Sequence, residues 1–271
     1  NEWMANGRGD DWIELHNPQA MPVKMDGMYL TDDLSSIGLT QFEIPQLNYI
    51  AARGFVKWVA DANLAQGGDH VNFSLASLGE PIALYSRTKS LVDKREISTT
   101  TLGESEGRLP DGALQITTFP DTPTPGKSNY LPVRNVVINE VLAHTDPPFE
   151  DAIELRNLST EPVNIGNWWI SNSESNRNKF QIPANTILSA RGVTAFYEAQ
   201  FNPAPGADHS FALNSAHGDK VIVSQTDSSG QLTGYRAIAE YDASENGVSF
   251  GRVKTSIGDQ FVTLASPTFG V

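Results

Sequence analysis

Short stretches of this chain alternate apolar and polar residues, and each stretch ends in Gly, Pro, Asn or Asp. In Asp11-Trp12-Ile13-Glu14-Leu15-His16-Asn17, Ile and Leu alternate with Glu, as in a strand with one apolar and one polar side. Asp151-Ala152-Ile153-Glu154-Leu155-Arg156-Asn157 repeats the pattern, and in both copies Asn opens a turn. The same alternation predicts strands at Met28-Tyr29-Leu30, Phe42-Glu43-Ile44-Pro45, Phe55 to Val59, Val71 to Leu75, Pro81 to Tyr85 and Leu91 to Ile97. Amphipathic helical windows are nearly absent. A brief helical turn at Thr194 to Phe201 is the best exception.

The repetition extends over the whole chain. Asn1-Glu2 corresponds to Asn139-Glu140, Pro22-Val23 to Pro162-Val163, Ala52-Arg53-Gly54 to Ala190-Arg191-Gly192, and Thr124 to Gly126 to Thr268 to Gly270. The offset is 138 at Asn1 and 144 at Gly126, and the small differences fall where loops absorb insertions cheaply. Two domains follow, 1–130 and 131–271, each expected to bury roughly two-thirds of its unfolded surface. Many short strands between turn residues predict an all-β fold of two tandem antiparallel β-sandwiches. The first copy lacks a counterpart of Val136-Val137-Ile138, so it is expected to be N-terminally truncated and the chain to be a piece of a longer protein. The linker, 127–135, is short and not rich in Gly or Ser, which predicts that the two domains pack against each other.

Composition narrows the function. The absence of Cys removes disulfides, thiolate catalysis and zinc-thiolate sites. Acidic residues outnumber basic ones by 32 to 19, and the excess is shared by both halves, so neither has the basic surface a phosphate backbone needs. No nucleic-acid partner is expected. No apolar run approaches the length of a membrane span, and membrane insertion is not expected.

With the repeat laid out, each copy resembles the lamin tail domain, an immunoglobulin-like β-sandwich. The residues that carry the resemblance are Ile138 to Ala143, Asp11 to Asn17 with Asp151 to Asn157, Pro22 to Asp32 with Pro162 to Asn172, Phe42 to Pro45 with Phe180 to Pro183, Ser249 to Arg252, and Thr124 to Gly126. Three positions depart from the pattern: Met28 stands in place of Trp, Asn167 in place of Gly, and Glu106 in place of the aromatic residue before Gly-Arg. The resemblance implies an accessory module of secreted or surface-attached bacterial proteins, with no family-wide catalytic residues. The expected role is a non-catalytic scaffold, spacer or adhesion unit at the bacterial cell surface or outside the cell, with a protein or glycan as partner. The alternative is a glycan- or protein-binding module that uses the loops at one sandwich end, assisted by calcium. A hydrolase is the distant third.

Candidate chemistry is sparse, and no catalytic, cofactor-binding or metal-binding residue is assigned. Glu14 and Glu154 recur on the polar side of the repeated strand. They read either as a general acid or base, or as cross-strand partners of Arg108 and Arg252, and the ion pair is preferred because it needs no pocket. His16, His70, His144, His209 and His217 show no ligand spacing. Ser215, His217 and Asp219 lie close in sequence but without the Gly-x-Ser-x-Gly elbow. Asp10, Asp11, Asp32 and Asp33, with Asp146, Glu150, Asp151 and Asn172 in the second copy, are the calcium candidates, although their spacing fits no EF-hand loop. No cofactor is assigned. Arg8-Gly9-Asp10 spells an integrin tripeptide, a match short enough to be accidental. Trp168 and Trp169 are adjacent on a predicted strand, so one should face the core and the other outward or toward the neighbouring domain.

Overall fold

The computed structural model describes residues 1–270. The chain divides into two compact units, Asn1–Tyr130 and Leu131–Val271, each built mainly of antiparallel strand pairs. The fold is all-β, two tandem immunoglobulin-like sandwiches.

In the first unit one sheet has the order β11–β10–β1–β2–β7, formed by β1 (Glu2–Met4), β2 (Trp12–His16), β7 (Phe55–Val59), β10 (Ser105–Arg108) and β11 (Ile116–Phe119). The facing sheet has the order β5–β4–β8–β9, from β4 (Tyr29–Thr31), β5 (Phe42–Glu43), β8 (Pro81–Tyr85) and β9 (Leu91–Glu96). A small pair, β3 (Val23–Lys24) with β6 (Tyr49–Ile50), closes one side. Trp3, Ile13, Leu30, Ile44, Trp58 and Val71 fill the space between the sheets. Trp3, Ile13, Leu30 and Trp58 come from strand positions that face inward, as the pleat requires, and Ile44 and Val71 from segments outside the strands.

The second unit repeats the plan. One sheet has the order β19–β14–β13–β22–β23, and its members are β13 (Val136–Leu142), β14 (Ala152–Asn157), β19 (Val193–Tyr197), β22 (Ser249–Thr255) and β23 (Gly258–Thr263). The other has the order β12–β21–β20–β16–β17, with β12 (Leu131–Pro132), β16 (Trp169–Ser171), β17 (Phe180–Gln181), β20 (Asp219–Thr226) and β21 (Leu232–Tyr241). The small pair here is β15 (Val163–Asn164) with β18 (Ile187–Leu188). Val136, Ile138, Val141, Ile153, Leu155, Ile170 and Val223 are fully buried in its core. Among the described residues, helix is confined to one turn in each unit, Gly38–Thr40 and Glu198–Phe201.

One predicted strand is absent. Val71, Phe73 and Leu75 are buried and alternate with exposed Asn72 and Ser74, yet 71–75 joins no sheet. Its backbone instead makes scattered bonds, Val71 N–H to Val59 at 2.8 Å and Ala62 N–H to the carbonyl of Phe73 at 3.0 Å. Alternation reports which side chains are buried. It does not supply a neighbouring strand with a free edge.

Candidate functional site

The repeated glutamates are the centre of the most developed polar cluster in each unit. On β1 and β2, Glu2 stands directly opposite Glu14 and also opposite Gly107 of β10. In the second unit Glu140 stands opposite both Glu154 and Gly251. Directly opposed residues share a face of a sheet, so each unit brings two carboxylates together on the outer face of its first sheet. Glu14 and Glu154 lie on the polar side of their strands, as the alternation predicts, but that side does not face solvent. All four carboxylates are instead fully buried.

The closing segment of each unit covers them. Thr124 donates its backbone N–H (3.1 Å) and Oγ1 (2.8 Å) to Glu2, and Ser105 Oγ donates to the same carboxylate at 2.5 Å. The backbone N–H of Gly126 donates to Glu14 Oε2 at 2.6 Å, and Asn1 Nδ2 to Glu14 Oε1 at 2.9 Å. The second unit repeats the set. Thr268 N–H (2.8 Å), Thr268 Oγ1 (2.6 Å) and Ser249 Oγ (2.6 Å) serve Glu140. Gly270 N–H and Asn139 Nδ2, both at 2.6 Å, serve Glu154. Buried carboxylates are tolerated when donors converge on them, and here every donor belongs to the same unit.

Two glycines follow from this geometry. Gly126 (φ +82°) turns the closing segment back so that its N–H meets Glu14, in a left-handed conformation that a Cβ would strain. A Cβ on Gly107 would lie 2.6 Å from the carbonyl of Asn1, so only Gly lets β10 lie this close to β1.

The expected ion pairs with Arg108 and Arg252 do not form, and strand geometry gives the reason. Arg108 follows Gly107, which shares the face of the glutamates, so the arginine emerges on the other side of the sheet. There Arg108 Nη2 pairs with Asp93 at 2.6 Å and Nη1 donates to the carbonyl of Ala113 at 2.5 Å. Arg252 likewise turns away, to the carbonyl of Ile138 at 3.3 Å and to Asp259 at 3.8 Å. Burial pushes Glu14 up to about 8 against the donors from Asn1 and Gly126, with the neighbouring Glu2 raising it further. Glu2 is raised as well, first by burial.

A second repeated device is built on the asparagine that ends each repeated strand. Asn17 Nδ2 donates to the carbonyls of Met21 (2.8 Å) and Ala51 (2.9 Å), while its Oδ1 accepts the N–H of Gln19 at 3.0 Å. Asn157 makes the same contacts with Glu161 (2.7 Å), Ser189 (3.0 Å) and the N–H of Ser159 (2.8 Å). In sequence this residue is a turn former. In the fold it ties together the loops on both sides of its strand.

The remaining candidates do not assemble. His16 stacks on Phe55, His70 Nδ1 meets Asp61 at 2.9 Å, His144 Nδ1 meets the carbonyl of Ser244 and His209 Nδ1 that of Asn178. The backbone N–H of His217 donates to Asn214 Oδ1, so 214–217 is a local turn, and Asp219 is engaged by Asn172 at 2.8 Å. Among the calcium candidates, Asp11 accepts the N–H of Gly7, Asp33 the N–H of Ser35, and Asp151 the hydroxyl of Thr145. Among the described residues, no three or more His, Asp or Glu side chains are placed to hold a metal ion. Arg8, Gly9 and Asp10 lie in an exposed loop. Trp168 is buried in the core while Trp169, on the other face, is half-buried with its ring 6.3 Å from that of His209. No helix is long and apolar enough to cross a membrane among the described residues.

No curated protein and no solved structure gives a significant match to the chain. Residues 132–249 match the model of the Lamin Tail Domain family, a family of non-catalytic immunoglobulin-like domains. Over residues 132–249 the second unit is thus similar to the lamin tail domain family.

Proposed function

We propose that the chain is a non-catalytic structural or interaction module of a larger secreted or cell-surface bacterial protein, acting as scaffold, spacer or adhesion unit, and that both units are lamin tail domains. The observation that carries this reading is that the recurring carboxylates are buried and satisfied by donors of their own unit. A general acid or base must come within hydrogen-bond reach of a substrate proton. Glu14 and Glu154 spend their oxygens on the closing segment instead. Repetition supports the same conclusion, because both units hold the pair in the same way. The surface location rests on the resemblance to bacterial family members, and the net negative charge fits an exposed, soluble module.

Two measurements test the reading. Glu154→Gln should lower the unfolding free energy, and the parent chain should turn over no model ester, peptide or glycoside substrate. Turnover that Glu154→Gln abolishes at unchanged stability would overturn it. The location is tested by protease shaving of intact cells that make the full-length protein. Peptides of this chain should appear in the digest, and their recovery only after lysis would refute a surface position.

A further inference from the structure

Features that recur in both units belong to the framework, and the connection between the two glutamate-bearing strands does not recur. In the first unit it is 5–11, between β1 and β2, with Met4 opposite Trp12 at its base. In the second it is 143–151, with Leu142 opposite Ala152. The second connection has no Lys or Arg, and its acids are engaged within the unit. Asp146 accepts from Asn246 Nδ2, Glu150 accepts the N–H of Ala199 at 2.9 Å, and Asp151 accepts the hydroxyl of Thr145.

The first connection is held at its stem and free at its tip. Asn6 donates Nδ2 to the carbonyl of Thr100 at 3.1 Å, and its own carbonyl accepts the N–H of Gly103 at 2.8 Å. On the other side Asp11 Oδ1 accepts the N–H of Gly7 at 3.1 Å, and the Asp11 carbonyl accepts the N–H of Ala60 at 2.8 Å. Between these anchors Arg8, Gly9 and Asp10 are exposed, and among the described residues no hydrogen bond or ion pair holds either charged side chain. The two glycines of the loop differ. A Cβ on Gly7 would lie 3.1 Å from Met4 Sδ and 3.2 Å from the carbonyl of Gly9, so the stem uses its glycine. A Cβ on Gly9 would meet nothing within 4 Å, and its φ lies outside the left-handed region. A tight turn therefore does not account for Arg8-Gly9-Asp10.

We propose that this tip is an adhesion site for an integrin-type receptor, one that takes the Asp10 carboxylate on a bound divalent cation and the Arg8 guanidinium in an acidic pocket. The inference rests on the reading of the chain as an adhesion unit and names its partner. A guanidinium and a carboxylate one residue apart, both free of partners in their own unit, offer two charge-assisted contacts of opposite sign without a bond being broken first. An open cleft of about 430 Å³ beside the tip is lined by Asp10, Asp11 and Asp61, so the field at Asp10 favours an approaching cation over a second anion. Hard divalent cations take carboxylate oxygens. The pinned stem presents the tip from a fixed base, the arrangement of a binding loop on a rigid scaffold.

The test is surface plasmon resonance of the purified whole chain against the soluble ectodomain of an integrin that binds the free peptide Gly-Arg-Gly-Asp-Asp, the sequence of 7–11, in buffer with Mg²⁺. Binding should saturate, be displaced by the free peptide and vanish in EDTA. Asp10→Glu lengthens the carboxylate by one methylene, and Gly9→Ala adds a Cβ where the fold has room. Each should weaken binding by about tenfold or more while leaving Tm unchanged. The purified chain reports binding wherever the protein resides in the cell, and protease shaving reports location alone, so the two readings fail separately. No binding by a chain that melts cooperatively, binding that survives EDTA, or full binding by either variant would overturn the proposal.

Discussion

Gly126 donates its backbone N–H to Glu14 Oε2 at 2.6 Å, across more than a hundred residues of chain, and Gly270 makes the identical bond to Glu154. The last residues of each unit thereby close over a carboxylate carried near its start. Replacing Glu154 by Gln turns one acceptor oxygen into a donor that faces either Gly270 N–H or Asn139 Nδ2. The second unit should lose about 1–3 kcal/mol, read by urea denaturation followed through Trp168 and Trp169. An unchanged midpoint would show that the closing segment contributes nothing to stability.

The first unit should respond to pH through Glu14. Its folded value lies near 8 and its ordinary value is 4.5, so the folded state holds the proton more tightly. The resulting stabilisation is fully present below about pH 4.5 and disappears as pH rises through 8. The contribution of Glu14 to the stability of the first unit is therefore expected to fall between pH 5 and 8, and Glu14→Gln should remove that part of the slope. A slope that persists in the variant assigns the effect to another group.

Asn157→Ala removes donors to the carbonyls of Glu161, Leu188 and Ser189 together with the acceptor for Ser159. Asn157 and Leu188 are both buried, so at least the Leu188 carbonyl loses its partner without gaining water. A cost of about 2–3 kcal/mol is expected. Asn17→Ala should cost the first unit a similar amount. Calorimetry of the two single variants checks both figures, and a loss confined to one unit would break the equivalence of the two asparagines.

Trp3 and Glu106 form a pair that the second unit replaces by Val141 and Phe250, directly opposed in each case. Trp3 Nε1 donates to Glu106 Oε2 at 3.2 Å, so the carboxylate that departs from the family pattern serves the larger ring opposite it. Glu106→Phe should destabilise the first unit by leaving the indole N–H without this acceptor. Adding Trp3→Val should recover part of the loss. A double-mutant cycle is expected to give a coupling of about 0.5–3 kcal/mol, and additivity would dissolve the pair.

Local alternation and internal repetition were enough to determine an all-β chain of two similar sandwiches, because strand period and turn chemistry are written in neighbouring residues. The same pattern put Glu14 and Glu154 on the polar side of their strands. It could not say that this side is covered, since the covering residues, Thr124 to Gly126 and Thr268 to Gly270, lie more than a hundred positions away. Nor could it choose partners for Arg108 and Arg252, which the pleat sends to the opposite face, or keep 71–75 out of a sheet when its burial pattern is that of a strand. Spacing along the chain fixes which side a residue takes; only the folded chain fixes what meets it there. Tertiary contact thus placed Glu14 and Glu154, both buried, against the closing segments of their own units.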